Sequence, residues 1–393
     1  MERFEFPKII TISTLEELQI TLNQDLVKSH DFFVPVAFDH IGFGVLPQAI
    51  IIFQTWIRNC KQGDLIISVE IDDDVSLREF ACSYLGYVIL SCAWKHKEII
   101  NHRKEPLKGL FKHYTELFHK KIDFLQDLPN DSILIPFFDH YSKQKGLSHW
   151  FYNQNFQFAG SPQEIESSVY RIFSELGKIY RSKIVKNVKA IIDDLEIIIW
   201  ELLKNTADHA TKDHLNQVDL SPNTRGVFFK IHRSSKKNFI QISKSHSGLQ
   251  NYLSSMLQEG DNFLLEITVY DTGPGMVKRY CGEKWNNNTH TDDEVSIIKK
   301  CLCKGLSSAP GLKGTAKGYG LNNVLMTLSE KQGFLQIRTG RTNLYRDLAK
   351  APHFATSDYT SIELQDVTTN SPSTFSTAPE SIGTIVTMFY PLK

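Results

Sequence analysis

The chain has 393 residues, of which 41% are hydrophobic and 22% charged, a composition typical of a folded protein with a buried core. Lysine and arginine together number 44, as do aspartate and glutamate, so the formal net charge is zero. This balance excludes any argument from bulk charge for binding to nucleic acid or to an anionic membrane surface.

The N-terminus, the apolar stretches and the cysteines of the chain indicate in which cellular compartment it is found. The N-terminus lacks the basic-then-apolar pattern of a signal peptide. The apolar stretches around 42–57 and 85–94 are too short or too interrupted to span a bilayer. We therefore expect a cytoplasmic protein without a membrane partner. The six cysteines form no Cys-x-x-Cys pair, which favours reduced thiols, with a metal site at Cys301 and Cys303 as a minor alternative.

Strands alternate with helices in the first part of the chain. We predict strands at 7–12, 32–38, 65–71 and 132–138, and helices over 46–57, 76–94 and part of 100–130. A further helix is predicted to be capped by Thr14, three residues before Glu17. The alternation predicts a small α/β domain over 1–150, ending where asparagine, glycine, serine and proline cluster near 150–162.

The second part, 160–393, is predicted to form a larger α/β domain. Helices are expected at 163–182, 187–208, 249–257, 294–306 and 321–328, and strands at 226–232, 239–243, 263–270, 334–338 and 384–389. The range 341–381 is interpreted as an insertion with a mobile portion at 368–376. The helix over 163–182 makes a homodimer plausible through the apolar positions Val169, Ile172, Phe173, Leu176 and Ile179.

A first motif, Glu-Leu-Leu-Lys-Asn-Thr-Ala-Asp-His, occupies 201–209 near the end of a predicted helix. Glu201, Asn205 and Asp208 lie at i, i+4 and i+7 and so share one helix face. Burying two acids and an amide is costly without partners. The Asn205 amide oxygen together with phosphate oxygens would suit Mg²⁺, and Glu201 would then polarise a water for attack on a phosphate. Taken alone, the motif is also compatible with a solvated helix edge.

A second motif, Asp-Thr-Gly-Pro-Gly-Met, follows a predicted strand at 271–276. Its glycines allow the backbone to approach a flat ligand, and Asp271 is able to accept a hydrogen bond from an amino group. An ordinary turn after a strand is the alternative interpretation.

A third motif, Gly-Thr-Ala-Lys-Gly-Tyr-Gly-Leu, precedes a predicted helix at 314–321, and a Gly383-Thr384 pair lies in a later apolar run. Backbone amides at a glycine-rich helix start form an anion site. The spacing is not that of a P-loop.

In this order and setting, the three motifs resemble the GHKL superfamily, which contains gyrase-type topoisomerases, MutL, heat-shock chaperone ATPases, histidine kinases and anti-sigma kinases. The resemblance covers about 180–340 and 382–393. It implies a Bergerat-type α/β sandwich, a mixed sheet with helices on one face, that binds ATP and Mg²⁺. It further implies that Glu201 is the general base, that Asn205 holds Mg²⁺ and that Asp271 reads adenine, with Thr384 helping through water. The implied cofactor-binding set is Asn205, Asp208, Asp271, Gly273, Gly275, Met276, Gly314, Gly318, Gly320, Leu321 and Thr384.

Three functions remain open at this point. The first is slow ATP hydrolysis coupled to closure of a lid over 277–313 and to control of a partner. The second is phosphotransfer to a histidine or serine of a separate protein, and the third is nucleotide binding without turnover. His30 stands in a sequence like that of a phosphoacceptor histidine, but the β-like residues after it argue against that role. The N-terminal domain is similar in pattern to STAS-type domains, which implies that it binds a protein partner.

Overall fold

Two main sheets and one two-stranded sheet organise the part of the chain that the computed structural model describes, residues 3–25, 30–60, 62–129, 131–180, 192–305 and 320–392. The N-terminal strands are β1 (Phe4–Glu5), β2 (Ile9–Ile10), β3 (Phe32–Val34), β4 (Asp39–His40), β5 (Leu65–Ile67) and β6 (Ile99–Ile100). Four of them form a parallel sheet in the order β1-β3-β5-β6, and β2 pairs with β4. Crossover helices connect such parallel strands. These helices are α1 (Ile12–Asp25), α2 (Val45–Asn59), α3 (Asp74–Ala81) and α4 (Tyr84–Ala93). A further helix, α5 (Lys108–Phe124), follows β6 and leads to the large sheet.

A seven-stranded sheet dominates the rest of the molecule. Its strands are β7 (Ser132–Phe138), β8 (Thr224–Ser235), β9 (Asp261–Asp271), β10 (Phe334–Gly340), β11 (Thr342–Asp347), β12 (Gln365–Asp366) and β13 (Ser381–Leu392). They lie in the order β12-β11-β10-β13-β9-β8-β7. The accompanying helices are α6 (Lys143–Gly146), α7 (Glu166–Leu176), α8 (Ile192–His209), α9 (Lys236–Ile242), α10 (Ser247–Met256), α11 (Met276–Cys281), α12 (Thr291–Leu302) and α13 (Gly320–Glu330).

Every neighbouring pair in this sheet is antiparallel, which corrects the expectation of a mixed sheet. The reason is the position of the last strand. The chain leaves β9, passes through α11 to α13 and enters β10 in the same direction, as a parallel crossover would require. However, β13 lies between β9 and β10 and runs opposite to both.

Both faces of the large sheet are covered. On one face Val227, Ile267 and Val386 share a buried core with helices α7, α8 and α13. On the other face Phe228 and Tyr270 pack into the core of the N-terminal module, residues 3–124, whose α2 lies against β13. The alternation of strand side chains between faces produces this division. The sheet is therefore the middle layer of three.

Strand β7 belongs to the large sheet although it precedes the predicted domain boundary. It pairs with β8 along its whole length, with Ile135 opposite Val227. All seven of its residues are buried, because helices or the N-terminal module cover both of its faces. The domain boundary near 150–162 stays a prediction. Strands from its two sides, β7 and β8, pair with each other in the large sheet.

Two predicted N-terminal elements are corrected. The helix expected over 76–94 breaks into α3 and α4, because the Ser83 side chain accepts from the Gly86 amide and caps a new helix. Thr14 lies inside α1 rather than at its cap. Thr11 precedes the helix, and the Thr11 and Thr14 side chains each accept from the other residue's backbone amide, at 3.2 and 2.9 Å.

The strand expected over 239–243 is wrong, since those residues belong to α9 and the turn after it. Ser235 caps this helix by accepting from the Asn238 amide at 3.3 Å. Phe239 is its one deeply buried apolar side chain, and this pattern lacks the alternation of a half-buried strand.

The range 341–381 is more regular than the predicted insertion. It contributes β11 and β12 to the edge of the large sheet. The buried Asp366 carboxylate accepts hydrogen bonds from the backbone of Thr368, Thr369 and Ser376. Both ends of the portion expected to be mobile, 368–376, are therefore hydrogen-bonded to the Asp366 carboxylate.

The apolar face of the helix predicted over 163–182 is not available for pairing two protomers. Val169, Ile172, Phe173 and Leu176 are all buried in the core under the sheet. The end of that predicted helix, and the start of the one predicted at 187, lie outside the described residues. Within the described residues, no helix combines the length and the apolar character needed to cross a bilayer.

Candidate functional site

Asp271 ends β9 on the helix-covered face of the large sheet. It lies opposite Thr384 of β13 and Arg225 of β8. Its Oδ1 accepts the Gly273 amide at 2.8 Å. Burial raises the pKa of the Asp271 carboxyl to about 6, against the opposing effect of that hydrogen bond. Asp271 is therefore a buried acid with acceptor capacity for a further donor.

The turn after Asp271 packs tightly against its neighbours. A Cβ on Gly273 would lie 2.6 Å from the Cα of Ala210, which directly follows α8. Gly275 has φ +84°, a left-handed conformation that favours glycine. The next amide, of Met276, donates to Thr339 Oγ1 at 3.1 Å. The glycines of the second motif thus bring the turn against α8 and β10.

Thr384 belongs to a small hydroxyl cluster beside Asp271. Its Oγ1 lies 3.1 Å from Thr339 Oγ1, which also donates to the Gly383 carbonyl at 3.0 Å. The Gly383 amide donates to the Gly273 carbonyl at 2.8 Å. These bonds join the second motif to the Gly383-Thr384 pair. Sequence reasoning missed Thr339, because no motif surrounds it.

Glu201 of the first motif meets the third motif directly. A Cβ on Gly320 would lie 2.5 Å from Glu201 Oε2 and 3.8 Å from Asn205 Nδ2. Asn323 of α13 donates to Glu201 Oε1 at 3.1 Å. Burial raises the pKa of Glu201, while the Asn323 hydrogen bond and the charge of Lys204 lower it. Sequence reasoning missed Asn323, although it lies one turn into the helix that the third motif starts.

Not every predicted residue joins this cluster. Asp208 is exposed and forms an ion pair with Lys204 at 2.6 Å, one helical turn away. Met276 and Leu321 are half-buried and pack on the core beneath the sheet rather than standing free. Gly314 and Gly318 lie outside the described residues.

Helix α8 is the element that links the two halves of the site. In the middle of the helix Glu201 lies against Gly320, and just past the end of the helix Ala210 lies against Gly273. At 1.5 Å per residue these two meeting points are roughly 13 Å apart along the helix axis. The site therefore has two chemically different ends, one with Asp271 and the other with Glu201 and Asn205.

A supporting network behind Asp271 comes from a distant part of the chain. Arg58, at the end of α2, donates to the backbone carbonyl of Thr272 and to Asn223 Oδ1, and its Nε donates to the Pro222 carbonyl at 2.7 Å. Thr272 Oγ1 also donates to Asn223 Oδ1 at 2.9 Å. The N-terminal module thus holds the second motif from behind. No local pattern around Arg58 signals this contact.

Metal ligands are sparse in the described ranges. No group of three or more histidine, cysteine, aspartate or glutamate side chains is placed there to hold a metal ion. Cys301 and Cys303 therefore belong to no such group among the described residues. Comparison of the chain with models of known families, with curated proteins and with solved structures found no match.

Proposed function

We propose that the protein binds ATP and Mg²⁺ as a GHKL-type ATPase, with α8, α13 and the large sheet forming a Bergerat-type sandwich. One observation carries the proposal. Three motifs that are far apart in sequence converge on α8, where Gly320 approaches Glu201 and Gly273 approaches the residue after the helix. Three unrelated motifs would have no reason to place an acid, an amide and glycines from two other segments around one helix.

Asp271 suits the adenine end of the nucleotide. A buried carboxylate is stabilised by donors, and the exocyclic amino group of adenine is such a donor. Thr384 and Thr339 add hydroxyl groups beside it, 3.1 Å from each other. These hydroxyls suit a bridging water, as the family resemblance implies. Guanine presents a carbonyl oxygen at the corresponding position, so the pocket is expected to prefer ATP to GTP.

Asn205 and Glu201 suit the phosphate end. Magnesium takes oxygen ligands and keeps several waters, and it is commonly bound through one protein group plus substrate phosphates. Asn205 would supply the protein oxygen. The described residues offer no acidic cluster that holds the ion alone, so Mg²⁺ binding is expected to depend on the nucleotide.

Glu201 is placed to act as the general base. It is half-buried, and burial raises its pKa, which makes the carboxylate a better proton acceptor. The Asn323 amide fixes one of its oxygens at 3.1 Å, which leaves Oε2 for a water molecule. In this proposal Glu201 orients a water and takes its proton. Closure of the segment after Met276 and control of a protein partner through the N-terminal module complete the proposal.

The reaction is tested by incubating the purified protein with γ-labelled ATP and Mg²⁺ and following free phosphate and label on protein. Slow release of free phosphate is the expected result. Label retained on the chain, or transferred to a protein added in trans, would replace hydrolysis with phosphotransfer. Binding without either product would reduce the protein to a nucleotide-binding scaffold. His30 is a poor acceptor, since it is 6% exposed and lies two residues before strand β3 rather than on a helix.

A further inference from the structure

A cavity lies on the opposite face of the large sheet from the candidate nucleotide site. It has a volume of about 590 Å³, within the range of small-molecule sites. Its floor is the sheet, and its walls are the start of α2 and the connection between α9 and α10. We call it the interlayer cavity because it lies between the N-terminal module and the sheet.

The floor of the interlayer cavity carries four polar side chains beside the apolar Ile385. They are Gln336 and Arg338 of β10, Asn343 of β11 and Thr387 of β13. Gln336 lies opposite Thr387, and Arg338 opposite Asn343. Apolar clusters border it, one around Tyr270 and Ile385 and one around Phe334 and Phe389. Within the floor, Gln336 Nε2 donates to Asn343 Oδ1 at 2.9 Å, and Thr387 Oγ1 accepts from Thr268 Oγ1 at 3.1 Å. These side chains keep further donor and acceptor capacity that a polar ligand would use.

The charged side chains that line the cavity are all basic. They are Arg338 and Lys244, and the described lining contains no aspartate or glutamate. Arg338 is 6% exposed and donates to the carbonyls of Gly340, Thr342 and Pro379. Within the described residues it forms no ion pair with an acid. A buried guanidinium held only by carbonyls keeps its full charge, which favours an anion nearby.

The acids near the floor do not cancel this charge. Glu266 is buried on the same sheet face, but its carboxylate already accepts from His232 Nε2 at 2.7 Å and from the Gly44 amide at 2.8 Å. Glu16 of α1 acts on Arg338 through its charge but forms no ion pair with it. Burial lowers the pKa of Arg338, as expected for a cation without a close acidic partner.

His246 lines the wall of the cavity as a neutral residue. Burial lowers its pKa to about 4, so the imidazole is neutral at pH 7. Its Nδ1 accepts the Leu249 amide at 3.2 Å, which places the proton on Nε2. That nitrogen makes no hydrogen bond to any described residue. His246 therefore adds no charge to the wall, and the basic character of the cavity rests on Arg338 and Lys244.

We infer that the interlayer cavity binds a small organic anion that carries a carboxylate or a phosphate group. Arg338 supplies charge from the floor, Lys244 supplies charge from the open side, and Gln336, Asn343 and Thr387 supply hydrogen bonds to the polar body of the ligand. The sheet separates this site from Asp271, which faces the other side. The inference therefore does not depend on ATP binding.

Two matched pairs of probes test the inference on the full chain by calorimetry without nucleotide. Glucose 6-phosphate is compared with glucose, and succinate with succinamide. At least one anion is expected to bind with a dissociation constant at or below about 1 mM, and its neutral analogue at least about tenfold more weakly. A phosphate-only or carboxylate-only response identifies the ligand class. Failure of both anions to bind, or equal binding of the neutral analogues, overturns the inference.

Three variants locate the binding. Arg338→Gln is expected to weaken anion binding by about tenfold or more, and Lys244→Gln by about threefold, because the second charge is exposed and screened. Asp271→Asn should leave anion binding unchanged. If Arg338→Gln fails to fold, Lys244→Gln decides, since the Lys244 side chain is exposed. Unchanged binding in Lys244→Gln and in any folded Arg338→Gln contradicts the proposed site.

Discussion

Gly320 stands against Glu201 so closely that a Cβ added to the glycine would lie 2.5 Å from Glu201 Oε2. The contact joins the start of α13 to the middle of α8, and it brings the third motif to the proposed base. Glycine is required here for close approach rather than for an unusual backbone angle. The obstacle is the end of a flexible side chain, which is able to move aside.

Gly320→Ala is therefore expected to disturb catalysis more than folding. The new methyl group would push the Glu201 carboxylate out of its position. Misplacement of a catalytic group lowers turnover by about tenfold to hundredfold. Turnover and thermal unfolding are measured together. Gly109→Ala is the matched control, since nothing lies within 4 Å of a Cβ there. Equal turnover in the two variants would contradict the assigned contact.

Glu201→Gln is expected to lower ATP turnover by about 10² or more while ATP binding survives, because the amide keeps the shape but does not accept a proton. Steady-state phosphate release and equilibrium ATP binding check this. Glu196→Gln changes a buried glutamate five residues earlier on the same helix and should leave turnover intact. The base assignment fails if Glu201→Gln turns over ATP like the wild type.

Arg58→Met tests the link between the N-terminal module and the second motif. The variant leaves the Pro222 and Thr272 carbonyls without their charged donor, which is expected to cost about 2–3 kcal/mol in the free energy of unfolding and to weaken ATP binding. Urea unfolding and ATP titration measure the two effects. Arg78→Met, at an exposed position of α3, should change the free energy of unfolding by less than about 0.5 kcal/mol. Similar losses in both variants would show that the Arg58 contacts are unimportant.

The raised pKa of Asp271, about 6, predicts that ATP binding depends on pH. The ionised carboxylate is the better acceptor for adenine, so affinity should fall about tenfold from pH 7 to pH 5 as the group is protonated. The effect on folding has the opposite sign. A raised pKa contributes stability below the unfolded value of 3.8, and that contribution is lost as pH rises through about 6. Asp271→Asn should remove both dependences, and persistence of either in that variant assigns it to another group.

The sequence predicted the helices and strands that carry the motifs, because their apolar periods are long and regular. Strand β9 running into Asp271, and the helix that carries Glu201 and Asn205, are confirmed. Local patterns did not reveal the antiparallel order of the sheet, since the pairing of β13 between β9 and β10 is a long-range choice. The strand expected at 239–243 failed because the Ser235 cap outweighed a short apolar run.

For the candidate site, too, local sequence patterns did not reveal the long-range contacts. Spacing placed Asp208 on the face of Glu201, but pairing with the nearby Lys204 engages it locally. Arg58 and Thr339 were missed, since each reaches the site from an element with no motif of its own. Asn323 was missed because it lies just beyond the third motif, within the helix that the motif starts. Residues that bind through local turns are visible in sequence, and residues that support them across the fold are not.

Equilibrium binding of ATP with Mg²⁺, measured by calorimetry on the wild type and two variants, tests the central claim most directly. The wild type should bind ATP in the micromolar to millimolar range typical of enzyme substrates and should bind GTP more weakly. Asp271→Ala should lose about tenfold or more in affinity, because the hydrogen-bonded acid is removed. Glu266→Gln, a buried acid of the same strand on the opposite face, should bind ATP like the wild type. Absence of ATP binding by the wild type, or equal affinity in Asp271→Ala, would contradict the proposed nucleotide site.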